Sequence, residues 1–236
     1  LQRSIKKGLR LMCREIQLGA AAAQLALTDS GLDSGSIDPS RIGTLFGSDY
    51  IITSPLDFVE GIRACLDEDE KFCFDKWAEH GLTKVEPLWL LKYLPNMPAS
   101  HVAIYNDLRG PSNSITVREA SANLAIAEAT TIIQRGSADF MVAGSTGSRI
   151  HPLRTVHIAL QEQLADRHTE SAGGDPTKAC RPFDKNRTGM TLGEGAGVLI
   201  LEELSSAEKR GANILGEVVG YGSSCVADKT GAANYK

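Results

Sequence analysis

SNSITVREASANLAIAEATTIIQRGSADFMVAG, residues 112–144, decides the architecture. Ser112 to Val117 alternates as a short strand does. After Arg118-Glu119 comes Ala120 to Gln134, whose single charged residue is Glu128. Alanine and isoleucine occupy every face of that segment, the pattern of a helix enclosed by protein. Arg135-Gly136 supplies a cationic last turn and a glycine C-cap. Ala138 to Gly144 then reads as an apolar, buried strand. Strand, sharp turn, enclosed helix and strand define a layered α/β arrangement. A residue at the turn stands at the positive end of the helix dipole, where a thiol is acidified or an anion is stabilised.

Working outward, residues 8–28 carry Leu9, Met12, Ile16, Ala20, Ala23 and Leu27 at helical spacing. Asp38-Pro39-Ser40 leads into a strand, Ile42 to Phe46, which stops at Gly47-Ser48-Asp49. Asp57 to Leu66 is expected to be helical, and the charged run Asp67 to Lys71 to be a solvated face. Residues 86–106 hold two short helices interrupted at Leu94-Pro95-Asn96-Met97-Pro98. On the carboxyl side, His151 to Leu164 is helical and Thr169 to Lys178 is a polar loop. Val198 to Leu201 is a strand, Ser205 to Arg210 a short helix, and Ile214 to Tyr221 a further strand.

The composition excludes several classes. The 236 residues hold 25 Lys+Arg against 29 Asp+Glu, a formal charge of −4, with 42 % hydrophobic, 23 % charged and 6 % aromatic residues. This is the balance of a globular chain and not of a disordered, collagenous or coiled-coil one. The acidic sign gives no footprint for nucleic acid. The uncharged stretch Ile16 to Thr28 is shorter than the roughly 20 apolar residues of a membrane span, so no membrane partner is expected. LQRSIKKGLR lacks the apolar region of a signal peptide. Cys13, Cys65, Cys73, Cys180 and Cys225 are scattered and fit reduced cytoplasmic thiols. Cys65, Cys73 and His80 match no zinc spacing, and no metal is expected.

Four motifs resemble the N-terminal half of the β-ketoacyl-acyl-carrier-protein synthases, KAS II-like in character. They are Pro95-Asn96-Met97, Gly110-Pro111-Ser112, Gly136-Ser137-Ala138-Asp139-Phe140-Met141-Val142-Ala143-Gly144, and Arg181-Pro182-Phe183-Asp184 running to Gly193-Glu194-Gly195-Ala196-Gly197. The resemblance runs from about residue 8 to about residue 222. It implies a thiolase-like αβαβα fold of two similar halves, with residues 1–236 forming most of the N-terminal one. The family's opening strand is expected before residue 1 and its second half after residue 236. It implies an acyltransferase context in fatty-acid or polyketide synthesis, no cofactor, and a cytoplasmic location. The implied partners are an acyl carrier protein and a homodimer or a heterodimer with a ketosynthase, the strand Ser112 to Val117 pairing across the dimer two-fold.

In the family a cysteine at the turn into the buried helix takes the acyl group. Counting from Gly110-Pro111-Ser112, that place falls on Glu119, with Arg118, Ala120 and Ser121 around it. No cysteine lies between Cys73 and Cys180. A carboxylate attacking a thioester would form a mixed anhydride, and carboxylates are weak nucleophiles, so covalent condensation is not expected. Family precedents without the cysteine are chain-length-factor subunits and decarboxylating loading ketosynthases. An ionised Glu119 repels a malonyl carboxylate, which favours the non-condensing subunit. The alternatives are an active synthase, a malonyl decarboxylase, and a non-enzymatic interaction subunit. Arg118 is a candidate ion partner for Glu119. Asp184 and Glu194 match family positions expected to brace the site.

Other signals weigh less. Ala78 to Thr83 faintly resembles a family histidine motif but lies upstream of the turn. His101, His151, His157 and His168 match no catalytic position. Gly193 to Gly197 leads into a strand and lacks the lysine of a P-loop, so its glycines are expected to permit close backbone packing.

Overall fold

A computed structural model describes residues 2–165 and 175–225. Its centre is a four-stranded sheet in the order β2-β1-β3-β4: β1 is Ile42–Ser48, β2 Ser112–Thr116, β3 Phe140–Ser148 and β4 Glu194–Glu202. The strands β2 and β3 flank β1 in parallel, whereas β4 runs antiparallel to β3. The helices, in chain order, are α1 (Gln2–Gly8), α2 (Arg14–Asp29), α3 (Val59–Arg63), α4 (Met97–Asn106), α5 (Ser121–Gln134), α6 (Pro152–Gln161) and α7 (Leu204–Lys209).

Strand alternation sorts the side chains into two cores. Ile42 and Phe46 of β1 and Phe140 and Val142 of β3 pack with Ala23 and Leu27 of α2 and Ala99 and Val102 of α4. Leu45, Met141 and Ala143, the intervening positions, pack on the opposite face with Ala125 and Ala129 of α5. The result is a mixed sheet between helices, the layered α/β arrangement read from residues 112–144. The fully buried residues of α5 are Ser121, Ala125 and Ala129 toward the sheet, and Ala127. The outer side of this helix is partly exposed in this chain, in contrast to the all-round enclosure expected from its composition.

Other boundaries differ from the sequence reading. Instead of one helix over residues 8–28, a 3-10 turn at Leu9–Leu11 and an extended Met12-Cys13 precede α2. The break preserves the four-residue step from Met12 to Ile16, both buried, so periodicity alone does not register it. In place of a helix from Asp57 to Leu66, Pro55 starts a 3-10 turn and the α-helical part is confined to α3. Ile214 to Tyr221 is not a strand: it has no ladder partner among the described residues, and a strand needs one. Its end touches α5, where the Tyr221 and Thr131 hydroxyls are 2.5 Å apart. His168 and the first part of the loop Thr169 to Lys178 lie outside the described residues.

Candidate functional site

In a sheet with parallel strands, side chains from different loops meet beyond the carboxyl ends. The turn after β2 meets there the loops after β1 and β3 and the start of β4. Gly47 permits the approach, since a Cβ there would stand 2.5 Å from the Ser121 carbonyl oxygen. Buried Ser121 fastens the turn, its Oγ accepting from the Val117 N–H at 2.9 Å and donating to the Ser48 carbonyl at 2.8 Å. Between them Arg118 adopts φ +55°, the left-handed region that sharpens the turn. Residues Arg118–Ala120 form a single 3-10 turn that leads into α5.

This geometry projects Glu119 outward, with two-thirds of its side chain exposed. Its carboxylate pairs with the Arg149 guanidinium from the end of β3. Burial pushes the Glu119 pKa up, but hydrogen bonds from its own backbone N–H and from Arg149, with the charges of Arg149 and Arg118, hold it below the ordinary carboxylate value. Arg118, the candidate partner from the sequence, turns away and donates to Gln161 Oε1 at 3.2 Å. A left-handed residue followed by a 3-10 turn directs adjacent side chains apart.

Arg149 is held from behind. Its N–H donates to the Gly193 carbonyl at 2.9 Å, and its Nη1 lies 3.6 Å from the Met190 sulfur. Glu194 joins the start of β4 to two other elements. It accepts from Arg14 of α2 at 2.7 and 2.9 Å and from Ser148 of β3 at 3.0 Å. Asp184 does not reach this cluster among the contacts described: its carboxylate accepts from the Asn186 N–H at 2.7 Å within its own turn. A further pair closes the site beside β1. Buried Arg154 of α6 donates to Asp49 at 2.8 Å and lies over the Tyr50 ring at 4.5 Å.

These groups line an open depression of about 410 Å³. Gly147, Gly193, Gly195 and Gly197 form part of its wall, and a Cβ on any of them would meet nothing within 4 Å. The glycines of 193–197 therefore leave space, contrary to the close packing expected of them. Close approach is confined to positions such as Gly144, whose Cβ would stand 2.6 Å from the Gly197 carbonyl.

No cysteine and no histidine lines the depression among the described residues. Cys13, just before α2, is pushed up to about 12 by burial, reinforced by the charge of Glu15, so it is no acidified thiol. His101 is buried and faces the Tyr105 hydroxyl at 3.1 Å, His157 bonds the Tyr50 hydroxyl, and His80 is exposed. No group of three His, Cys, Asp or Glu able to hold a metal occurs among the described residues. No helix among them is long and apolar enough to cross a membrane.

Sequence reasoning missed Arg149, Asp49 and Arg154. The usable signal was position: each follows, within a few residues, the carboxyl end of β1 or β3.

A mixed sheet between helices, with α5 entered through a left-handed turn at the strand ends, is the architecture that the comparisons place among the thiolase-like ketosynthases. The model for the beta-ketoacyl synthase N-terminal domain matches residues 3–207. The chain belongs to the β-ketoacyl synthase family. It is 37 % identical over 219 residues to 3-oxoacyl-[acyl-carrier-protein] synthase 2 of Vibrio cholerae, covering 93 % of this chain and 48 % of that protein. Against the Staphylococcus aureus enzyme of the same name it is 35 % identical, covering 92 % and 49 %. The chain thus spans about half the length of the curated relatives it matches. A β-ketoacyl synthase structure from Burkholderia phymatum superposes with TM-score 0.67 at 30 % identity, covering 88 % of this chain and 46 % of that one. The ishigamide ketosynthase/chain length factor matches in fold, with TM-score 0.66 at 22 % identity and coverage of 90 % and 47 %.

Proposed function

We propose that this chain is the N-terminal part of a non-condensing, chain-length-factor-like ketosynthase subunit in fatty-acid or polyketide synthesis. The observation that carries the reading is Glu119, an ionised carboxylate paired to Arg149, at the turn where the family resemblance puts the nucleophile. Held in that pair and poor as a nucleophile, it cannot form a durable acyl-enzyme. Arg118, Ala120 and Ser121 shape the same turn, Glu194 ties the start of β4 to Arg14 and Ser148 beside it, and Asp184 orders its own turn. The ligands would be an acyl chain and the phosphopantetheine arm of an acyl carrier protein.

The residues of the second half would complete the protein, in keeping with the half-length match to its relatives. Among the described residues, β2 pairs with β1 alone and leaves its other edge open. That edge would pair across the two-fold of a homodimer or of a heterodimer with a condensing ketosynthase, in the cytoplasm.

Reconstitution tests this reading. The full-length protein alone should give no 3-ketoacyl product from an acyl donor and malonyl-carrier protein, and should alter product length when added to a condensing partner. Condensation by the unaltered protein alone would contradict it. Carbon dioxide release from malonyl-carrier protein without condensation would favour the decarboxylase instead, and partner binding without any change in product would favour a purely structural subunit.

A further inference from the structure

We propose that Arg149 is a carboxylate-binding group whose tethered occupant is Glu119, so that the depression refuses acyl groups ending in a carboxylate and accepts neutral ones. Contacts other than Glu119 hold the Arg149 backbone and one end of its guanidinium. Its backbone N–H is bonded to the Gly193 carbonyl, its Nη1 rests on the Met190 sulfur, and Ser148 before it is tied to Glu194. Deleting the Glu119 side chain therefore leaves a placed cation with an open donor fork, the geometry that binds carboxylates best.

The other cations of the depression are otherwise engaged. Arg154 is held by Asp49 and the Tyr50 ring, and Arg118 by Gln161. Arg14 of α2, outside the lining of the depression, is held by Glu194. Beside Arg149 the wall of Gly147, Gly193, Gly195 and Gly197 leaves room where side chains would stand, within a volume of about 410 Å³. That is far more than a carboxylic acid of two to four carbons requires.

A carboxylate tethered four bonds from the backbone competes with free ligand as an intramolecular group, at an effective concentration of about millimolar or more. A neutral acyl group meets no such competitor. The inference rests on reading Glu119 as a fixed anion at the acyl-accepting turn. Its readout is ligand binding to variants, so failure here leaves the non-condensing assignment standing. Condensing activity would remove that assignment without touching a binding result.

The probe is sodium acetate, titrated against sodium chloride of equal ionic strength and followed by the Arg149 Nε–Hε resonance of the full-length protein. In Glu119→Ala, acetate should saturate the resonance with affinity about two- to sixfold tighter than in the unaltered protein, the scale of one solvent-exposed ion pair displaced. Glu119→Gln, which keeps the side-chain shape, should give the same ordering. The Arg149→Gln change, added to Glu119→Ala and followed by calorimetry, should abolish the gain. A parallel titration with succinyl-N-acetylcysteamine separates an acyl-borne carboxylate from a free acid: saturation by either supports the receptor and identifies its source. The neutral acetyl thioester should bind all variants alike. Absence of saturable binding in both Glu119 variants, or equal binding when Arg149 is also replaced, would overturn the proposal.

Discussion

Arg149, at the end of β3, closes an ion pair with Glu119, at the entry to α5, joining two loops thirty residues apart in sequence. Against burial, the Glu119 backbone N–H and the pair together hold the carboxylate below its ordinary value, and the pair fixes where it points. Because the Glu119 pKa is lowered in the fold, its contribution to stability is fully present above the unfolded carboxylate value. It is lost as the pH falls through the lower, folded value. Carboxyl-carbon NMR should place the Glu119 midpoint below that of an ordinary glutamate, and Arg149→Gln should move it upward. With two-thirds of the side chain in solvent, the pair should contribute only about 0.2–1 kcal/mol, read by urea unfolding above and below the transition.

The Arg154–Asp49 pair behaves differently because Arg154 is almost wholly buried, its side chain 3 % exposed against 15 % for Asp49. Asp49→Ala should cost about 3–5 kcal/mol, since it strands a buried cation. Arg154→Met keeps the packing volume against Tyr50 and removes the charge, so it should cost less, and the double variant should recover part of the loss. Urea unfolding of the four proteins forms the cycle; equal effects of the two single changes would refute the buried-cation account.

The turn before α5 depends on Ser121 and Gly47. Ser121→Ala removes both bonds of a buried hydroxyl and should cost about 1–3 kcal/mol. Gly47→Ala places a methyl 2.5 Å from the Ser121 carbonyl oxygen, so the helix start must shift, at about 1–3 kcal/mol. The chemical shifts of Glu119 and Arg149 should move in both variants, and thermal unfolding should report the stability loss. Unperturbed Glu119 shifts in Gly47→Ala would show that the close approach does not position the site.

The local pattern carried much of this fold. The apolar runs of β1 and β3 mark strands that are buried along most of their length, whereas the alternation of Ser112 to Val117 is not matched by the burial of β2. The extended break at Met12-Cys13 preserved the inward spacing and was invisible to periodicity. Ile214 to Tyr221 has the residues of a strand, but a strand exists only with a partner, which is a property of the sheet. For the site, motif spacing led to Glu119, Arg118 and Glu194, which the fold brings to one depression, and to Ser121, which is buried beneath the turn. Arg149 escaped notice because its link to Glu119 is made by strand order and not by any short spacing. The φ of +55° at Arg118, which turns that side chain toward Gln161, leaves no mark in composition.

The central claim is that the carboxylate at the α5 entry takes no acyl group. Its most direct measurement is peptide mass spectrometry of the full-length protein after incubation with acyl-carrier protein and quenching in hydroxylamine, which converts an acylated carboxylate into a hydroxamate. The account predicts that the peptide bearing Glu119 stays unmodified, while Glu119→Cys carries the acyl group as a thioester when quenched in acid without hydroxylamine. A hydroxamate on Glu119 in the unaltered protein would contradict it.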